Sequence, residues 1–236
     1  MNNNKIGLGT CVAIGIITLF TTPSYAAKHH VVTAEQQSMM SPDQVLQDLI
    51  DGNKRFYSSN KKERPSLMSL SQKTHKYGQF PKAVILACMD SRSAPEIIFD
   101  QSIGDIFTLR VAGNIVNDAM LASLEYATKH SGSKLIVIMG HTQCGAIEAV
   151  CKGGLSGNLK TLAHAIEPAV MLIGKQHKQL NCSDDNITRE IAMQNVRNMV
   201  AHVIKGSEVI RTLLAQKKIK IVGALHNLKT GVVTFE

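Results

Sequence analysis

The chain has 236 residues, 44% of them hydrophobic and 19% charged, with a formal net charge of +8. That is enough apolar material for a sizeable core, and it excludes a disordered chain except at the ends. Basic residues are scattered, Trp is absent and aromatics make up only 4%, which excludes stacking platforms for nucleic acid and leaves the charge as a solvated basic surface.

Lys5, the uncharged apolar stretch 7–20, and small residues Ser24 and Ala26 read as a signal peptide over residues 1–26, cleaved before Ala27. The apolar stretch is too short to span a bilayer easily, so no stable membrane insertion is expected. The mature chain is expected in the periplasm or secreted. Residues 27–40 are polar and mixed and read as a flexible leader, with residues 41–236 as one domain. Ser41, Pro42 and Gln44 form a helix start, with Ser41 as cap, Pro42 at the first helical position and Gln44 closing a capping box. Val45, Leu46, Leu49, Ile50 and Phe56 continue that helix at helical spacing. Residues 61–80, polar and carrying Pro65 and Gly78, read as a long surface connection.

Four continuous apolar runs follow, at 83–87, 106–109, 135–139 and 219–225. Runs of this kind fit strands buried on both faces, as in a parallel sheet. Helical stretches at 118–129, 145–152, 159–178 and 187–214 alternate with them. The fold class is therefore α/β. A central, mostly parallel β-sheet of about four strands, plus an edge strand at 232–235, is flanked by helices with right-handed crossovers.

Cys88 directly follows the first strand, in Cys88-Met89-Asp90-Ser91-Arg92. His141 directly follows the third, in His141-Thr142-Gln143-Cys144, and Cys144 opens the next helix. The carboxyl ends of parallel strands are where such folds build sites. Two thiolates and an imidazole are three zinc ligands, and three protein ligands leave the fourth tetrahedral position open, as in catalytic zinc. No Cys-x-x-Cys supports a redox pair, and no fourth cysteine at suitable spacing supports an iron–sulfur cluster. Zinc with an open position lowers the pKa of bound water from about 15.7 toward about 7. Asp90 can then accept a hydrogen bond from that oxygen, with Arg92 holding Asp90 ionised. On spacing alone, Asp90 and Arg92 also read as a loop-stabilising salt bridge, and Ser91 as a turn cap. Cys151 and Cys182 are left over, as a disulfide or as two buried small hydrophobes.

The two cysteine motifs resemble those of the β-class carbonic anhydrases. So do Leu49-Ile50-Asp51-Gly52-Asn53-Lys54-Arg55-Phe56, Pro95-Glu96-Ile97-Ile98-Phe99, Arg110-Val111-Ala112-Gly113-Asn114 and Glu125-Tyr126-Ala127. The resemblance covers about residues 41–235. It implies that Cys88, His141 and Cys144 bind one Zn2+ and that Asp90 and Arg92 form the catalytic dyad. Gln79, nine residues before Cys88, would bind substrate from the neighbouring subunit. Phe107, Val111 and Tyr126 would line a small apolar pocket for carbon dioxide, and the Gly145 N–H would donate to a substrate oxygen. The implied reaction is reversible hydration of carbon dioxide to bicarbonate and a proton by zinc-bound hydroxide, in a homodimer or homotetramer with an interface active site. The resemblance also implies a closed, low-pH form in which Asp90 takes the fourth zinc position. With no Trp, and with His226 where many relatives carry Tyr, the bicarbonate-regulated subgroup is disfavoured; with Gln79 present, the freely active, plant-like one is expected. Two alternatives remain. One is a hydrolase of carbonyl sulfide or carbon disulfide on the same scaffold, and the other is an exported zinc-binding protein without catalysis.

Overall fold

The apolar runs form one sheet. Strands β1 (Ala83–Ala87), β2 (Ile106–Arg110), β3 (Leu135–His141) and β4 (Lys220–His226) run parallel, and β5 (Val233–Phe235) pairs antiparallel with β4. The computed structural model describes residues 31–236, so the signal-peptide reading of 1–26 lies outside the described residues. Strand order is β2-β1-β3-β4-β5, the α/β class expected from the alternation of runs.

The helices are α1 (Ala34–Met39), α2 (Pro42–Tyr57), α3 (Leu67–Tyr77), α4 (Pro95–Ile98), α5 (Asp118–Glu125), α6 (Gly145–Lys152), α7 (Lys160–Gly174), α8 (Asp185–Gly206) and α9 (Glu208–Ala215). Every residue of β1 and β3 is buried. Successive side chains point to opposite faces. Val84, Leu86, Ile136 and Ile138 therefore meet α5 to α9 through Leu124, Ile147, Ile166, Val196 and Ile210. Ile85, Val137 and Met139 meet α2 and α4 through Val45, Leu49, Ile98 and Phe99. Helix α8 lies close against β3 and β4 because both strands offer a glycine there. A Cβ at Gly140 or Gly223 would stand 2.9 Å from the Val196 side chain, a separation that forces a shift.

Three sequence expectations are corrected. The flexible leader is fixed from Thr33 onward. Thr33 and Gln36 close a capping box on α1, and buried Gln37 donates to Pro81 O and Ser131 O, both at 2.8 Å. The surface connection at 61–80 holds α3, capped by Ser66 and anchored by Leu70, 2% exposed. One inward side chain on an otherwise polar segment leaves no period to read. The single helix at 187–214 breaks at Ser207, whose buried hydroxyl accepts the Ile210 N–H and donates to Glu125 Oε1.

Of the two readings of Cys151 and Cys182, the structure has the disulfide, joining the end of α6 to the segment before α8 across a Cα–Cα distance of 5.6 Å. Closing a loop of 31 residues removes denatured-state freedom corresponding to about 3–4 kcal/mol. The Cys151→Ser/Cys182→Ser protein should lose stability of that order, read as a lower urea midpoint in equilibrium unfolding.

Candidate metal centre

After β1 the chain crosses to β2 on one side, then returns to place β3 on the other. The carboxyl ends of β1 and β3 are thus a topological switch point, where α/β sheets leave a crevice. Cys88 is the first residue past β1, His141 the last of β3, and Cys144 the N-cap of α6. Their ligand atoms lie within 4.8 Å of one another, the two sulfurs 3.9 Å apart, and all three side chains are buried.

His141 Nδ1 is 2.9 Å from Thr142 O. Donation of an N–H to that carbonyl sets the tautomer and leaves Nε2 a bare lone pair. Nε2 is buried and has no hydrogen-bond partner, a costly state for a nitrogen unless a cation takes the lone pair. The Cys88 thiol is held down to about 4, first by the hydrogen bond with Cys144, then, against burial, by His141 and the amides of Asp90 and Gly113. Cys144 is pushed far above the ordinary thiol range by Cys88 and by burial. Burial disfavours the His141 imidazolium, yet the Cys88 sulfur outweighs it and raises the ring's proton affinity. As it stands one sulfur holds a proton for the other, and both can be anionic this close together only with a positive charge between them. A buried S, S, N donor set of this kind fits a borderline-soft divalent metal.

Asp90 lies beside these ligands. Arg92 Nε donates to Asp90 Oδ1 at 3.0 Å and Nη2 to Oδ2 at 2.8 Å, a bidentate pair, and the Arg92 N–H adds a third bond to Oδ1 at 2.9 Å. Arg92 thereby holds the carboxyl well below the usual carboxylate range. Asp90 Oδ2 is 3.8 Å from His141 Nε2. Arg92 Nη2 also donates to Gln143 O at 3.3 Å, which ties the loop after β1 to the loop after β3.

A carbonic anhydrase family model matches residues 83–233. The chain belongs to the β-class carbonic anhydrases. It is 35% identical over 190 residues to Carbonic anhydrase 2 of Mycobacterium tuberculosis, covering 78% of this chain and 87% of that one. The carbonic anhydrase of Mycolicibacterium smegmatis is 35% identical over 190 residues, covering 78% and 88%. Among solved structures, the β-carbonic anhydrase CcaA superposes with a TM-score of 0.64 at 24% identity, covering 80% of this chain and 94% of that one. A structure of tetrameric β-carbonic anhydrases from Sordaria macrospora does so with 0.62 at 23%, covering 71% and 91%. At those identities the two structures speak for the fold alone.

This β-class carbonic anhydrase gathers only part of the substrate pocket expected from its sequence. Val111 sits beside Cys88, its N–H donating to Ala87 O at 3.1 Å and its carbonyl accepting the Met89 N–H at 3.3 Å. Gly145 is the first residue of α6, and the space where a Cβ would project is open for 4 Å. Within one chain, Phe107 and Tyr126 lie apart from Val111. Phe107 pairs with Val84, four residues before Val111 and so about 13 Å down the strand. With half-exposed Tyr126 it lines a groove of about 330 Å³ that includes none of the metal ligands. Gln79 is exposed and precedes β1, at the end of the sheet opposite Cys88.

Arg110 escaped the sequence reading. The β1/β2 register pairs it with Ala87, and its guanidinium donates to Cys88 O at 3.1 Å and to Asp90 O. It thus grips the backbone that carries both Cys88 and the Asp90–Arg92 pair. The motif around Arg110 was visible, but its targets arise only from strand pairing.

Proposed function

We propose that the chain is a zinc enzyme that interconverts carbon dioxide and bicarbonate, with Cys88, His141 and Cys144 holding the metal and Asp90 and Arg92 serving the reaction beside it. The observation that carries this reading is the bidentate Asp90–Arg92 pair set 3.8 Å from the orphaned Nε2 of His141. Zinc in such a site supplies Lewis acidity and brings the pKa of water toward neutrality.

The chain's own residues do the rest. Ionised Asp90 can only accept, so Oδ2 takes the O–H of the attacking oxygen and turns its lone pair toward the substrate carbon. Arg92 keeps Asp90 charged and anchored. Val111 offers an apolar wall, and the Gly145 N–H, at a helix N-terminus, donates to a substrate oxygen as charge develops there. Gln79, Phe107 and Tyr126 stand too far from their own chain's ligands to serve them. We read them as serving a neighbouring subunit's metal in a homodimer or homotetramer with an interface site, an assembly consistent with the tetrameric β-carbonic anhydrases of similar fold. The pairing of Asp90 with Arg92, and the lack of Trp, support the freely active subgroup. The Cys151–Cys182 disulfide supports an exported enzyme, since disulfides persist in oxidising compartments.

Stopped-flow hydration of carbon dioxide by the zinc-loaded protein tests this. Fast turnover is expected at both pH 7 and pH 8.5, because Asp90 stays ionised and paired. Turnover only at pH 8.5 would mean that Asp90 closes onto the metal. No turnover at either pH, with one zinc per chain confirmed, would overturn the hydratase reading.

A further inference from the structure

Beneath the dyad lies a polar pair that the mechanism above does not use. Ser93 and His226 are 1% and 2% exposed, and Ser93 Oγ is 3.1 Å from His226 Nδ1. Ser93 adjoins Arg92, and its N–H donates to Asp90 O at 3.0 Å, closing the turn at 90–93. His226 ends β4 in register with His141 on β3, and its carbonyl accepts the Thr142 N–H at 2.9 Å. The buried ring packs against Phe56 in a T-shaped contact, with centroids 6.4 Å apart.

A hydrophobic side chain would fill this place without burying ring nitrogens, one of which, Nε2, has no hydrogen-bond partner. The histidine is retained at that cost, and its one side-chain hydrogen bond runs to the residue next to Arg92. Arg110 holds the start of the same segment, at Cys88 O and Asp90 O. The far end, where Arg92 leaves the backbone, is held through Ser93. Side chains of the sheet therefore grip the segment from β2 through Arg110 and from β4 through His226, in addition to its Met89–Val111 and Arg92–Gln143 bonds.

We infer that His226 is a positioning residue, fixing through the Ser93 hydroxyl the turn from which Asp90 and Arg92 face the metal ligands. This rests on the carbonic anhydrase reading. A misplacement of about 1 Å costs on the order of a hundredfold in rate, and a turn freed at one of several anchors should shift by less. In the zinc-loaded enzyme, Ser93→Ala and His226→Leu should each lower kcat/KM about tenfold, with zinc still at one per chain. The double variant should be no worse than either single one, because both remove the same bond. His226→Asn, whose amide reaches about where Nδ1 stands, should recover most of the loss, and His226→Gln should not. A crystal structure of zinc-loaded Ser93→Ala should show the Asp90–Arg92 pair displaced from its place beside His141.

Parental kcat/KM in the single variants would overturn the inference. So would additive losses, or equal losses in the Asn and Gln variants, since these would mark a packing role only. An unmoved dyad in the crystal structure would overturn it as well. A parent protein with one zinc and no turnover would defeat the hydratase reading instead, and the crystallographic comparison would still decide the role of His226.

Discussion

The Cys88→Ala protein should bind zinc at least about a hundredfold more weakly than its parent, and its hydration rate should fall in step with its metal content. Groups that merely orient metal ligands are worth about 10–100-fold in affinity when removed, and loss of a direct thiolate ligand should exceed that. The substitution deletes one buried sulfur from a small side chain that is 4% exposed, so the sheet should still form. Equilibrium dialysis against a chelator of known zinc affinity, with metal and chain concentration measured on the same sample, reads the effect. One zinc per chain retained under the same competition would place the metal somewhere other than the Cys88, His141 and Cys144 cluster.

Asp90→Asn should behave in the opposite way, with zinc kept and turnover lost. Its kcat/KM should fall by about 10²–10³-fold, the range for removing a positioned proton acceptor. The amide matches the carboxylate in shape, but it offers one acceptor oxygen in place of two, and Arg92 loses the charge that it grips at 2.8 and 3.0 Å. The parent carboxyl titrates well below the usual range because of Arg92, so its charge is present from mildly acidic pH upward. The deficit should therefore be equal at pH 7 and at pH 8.5. A protein that only binds metal would lose nothing, and a rate within about threefold of the parent would remove Asp90 from the chemistry.

The sheet was legible because burial on both faces writes itself as unbroken apolar runs, and Ala83–Ala87 and Leu135–His141 are the two strands covered on both sides. The ligands were legible because Cys88 follows directly on the first of those strands and His141 ends the other, so finding the strands also finds the crevice. What stayed hidden depended on single long-range contacts. Gln37 and Leu70 each anchor a polar helix by one side chain, too little to make a period. Arg110 and His226 reach the dyad loop only through register between strands far apart in sequence. Phe107 and Val111 sat four residues apart on one strand, and strand rise alone separates them by about 13 Å.

The spacing of the two ligand sulfurs has a consequence for how the enzyme matures. Four cysteines occur among the described residues, and two of them are already joined as Cys151–Cys182. Cys88 and Cys144 are held 3.9 Å apart, near enough to become a second couple wherever a disulfide donor meets the empty chain. Of the two, Cys88 is the sulfur whose thiol is held below its ordinary range, by the hydrogen bond from Cys144. Metal capture and oxidation thus compete for the same two atoms. On the zinc reading proposed above, the metal has to be captured before these two sulfurs are joined to each other.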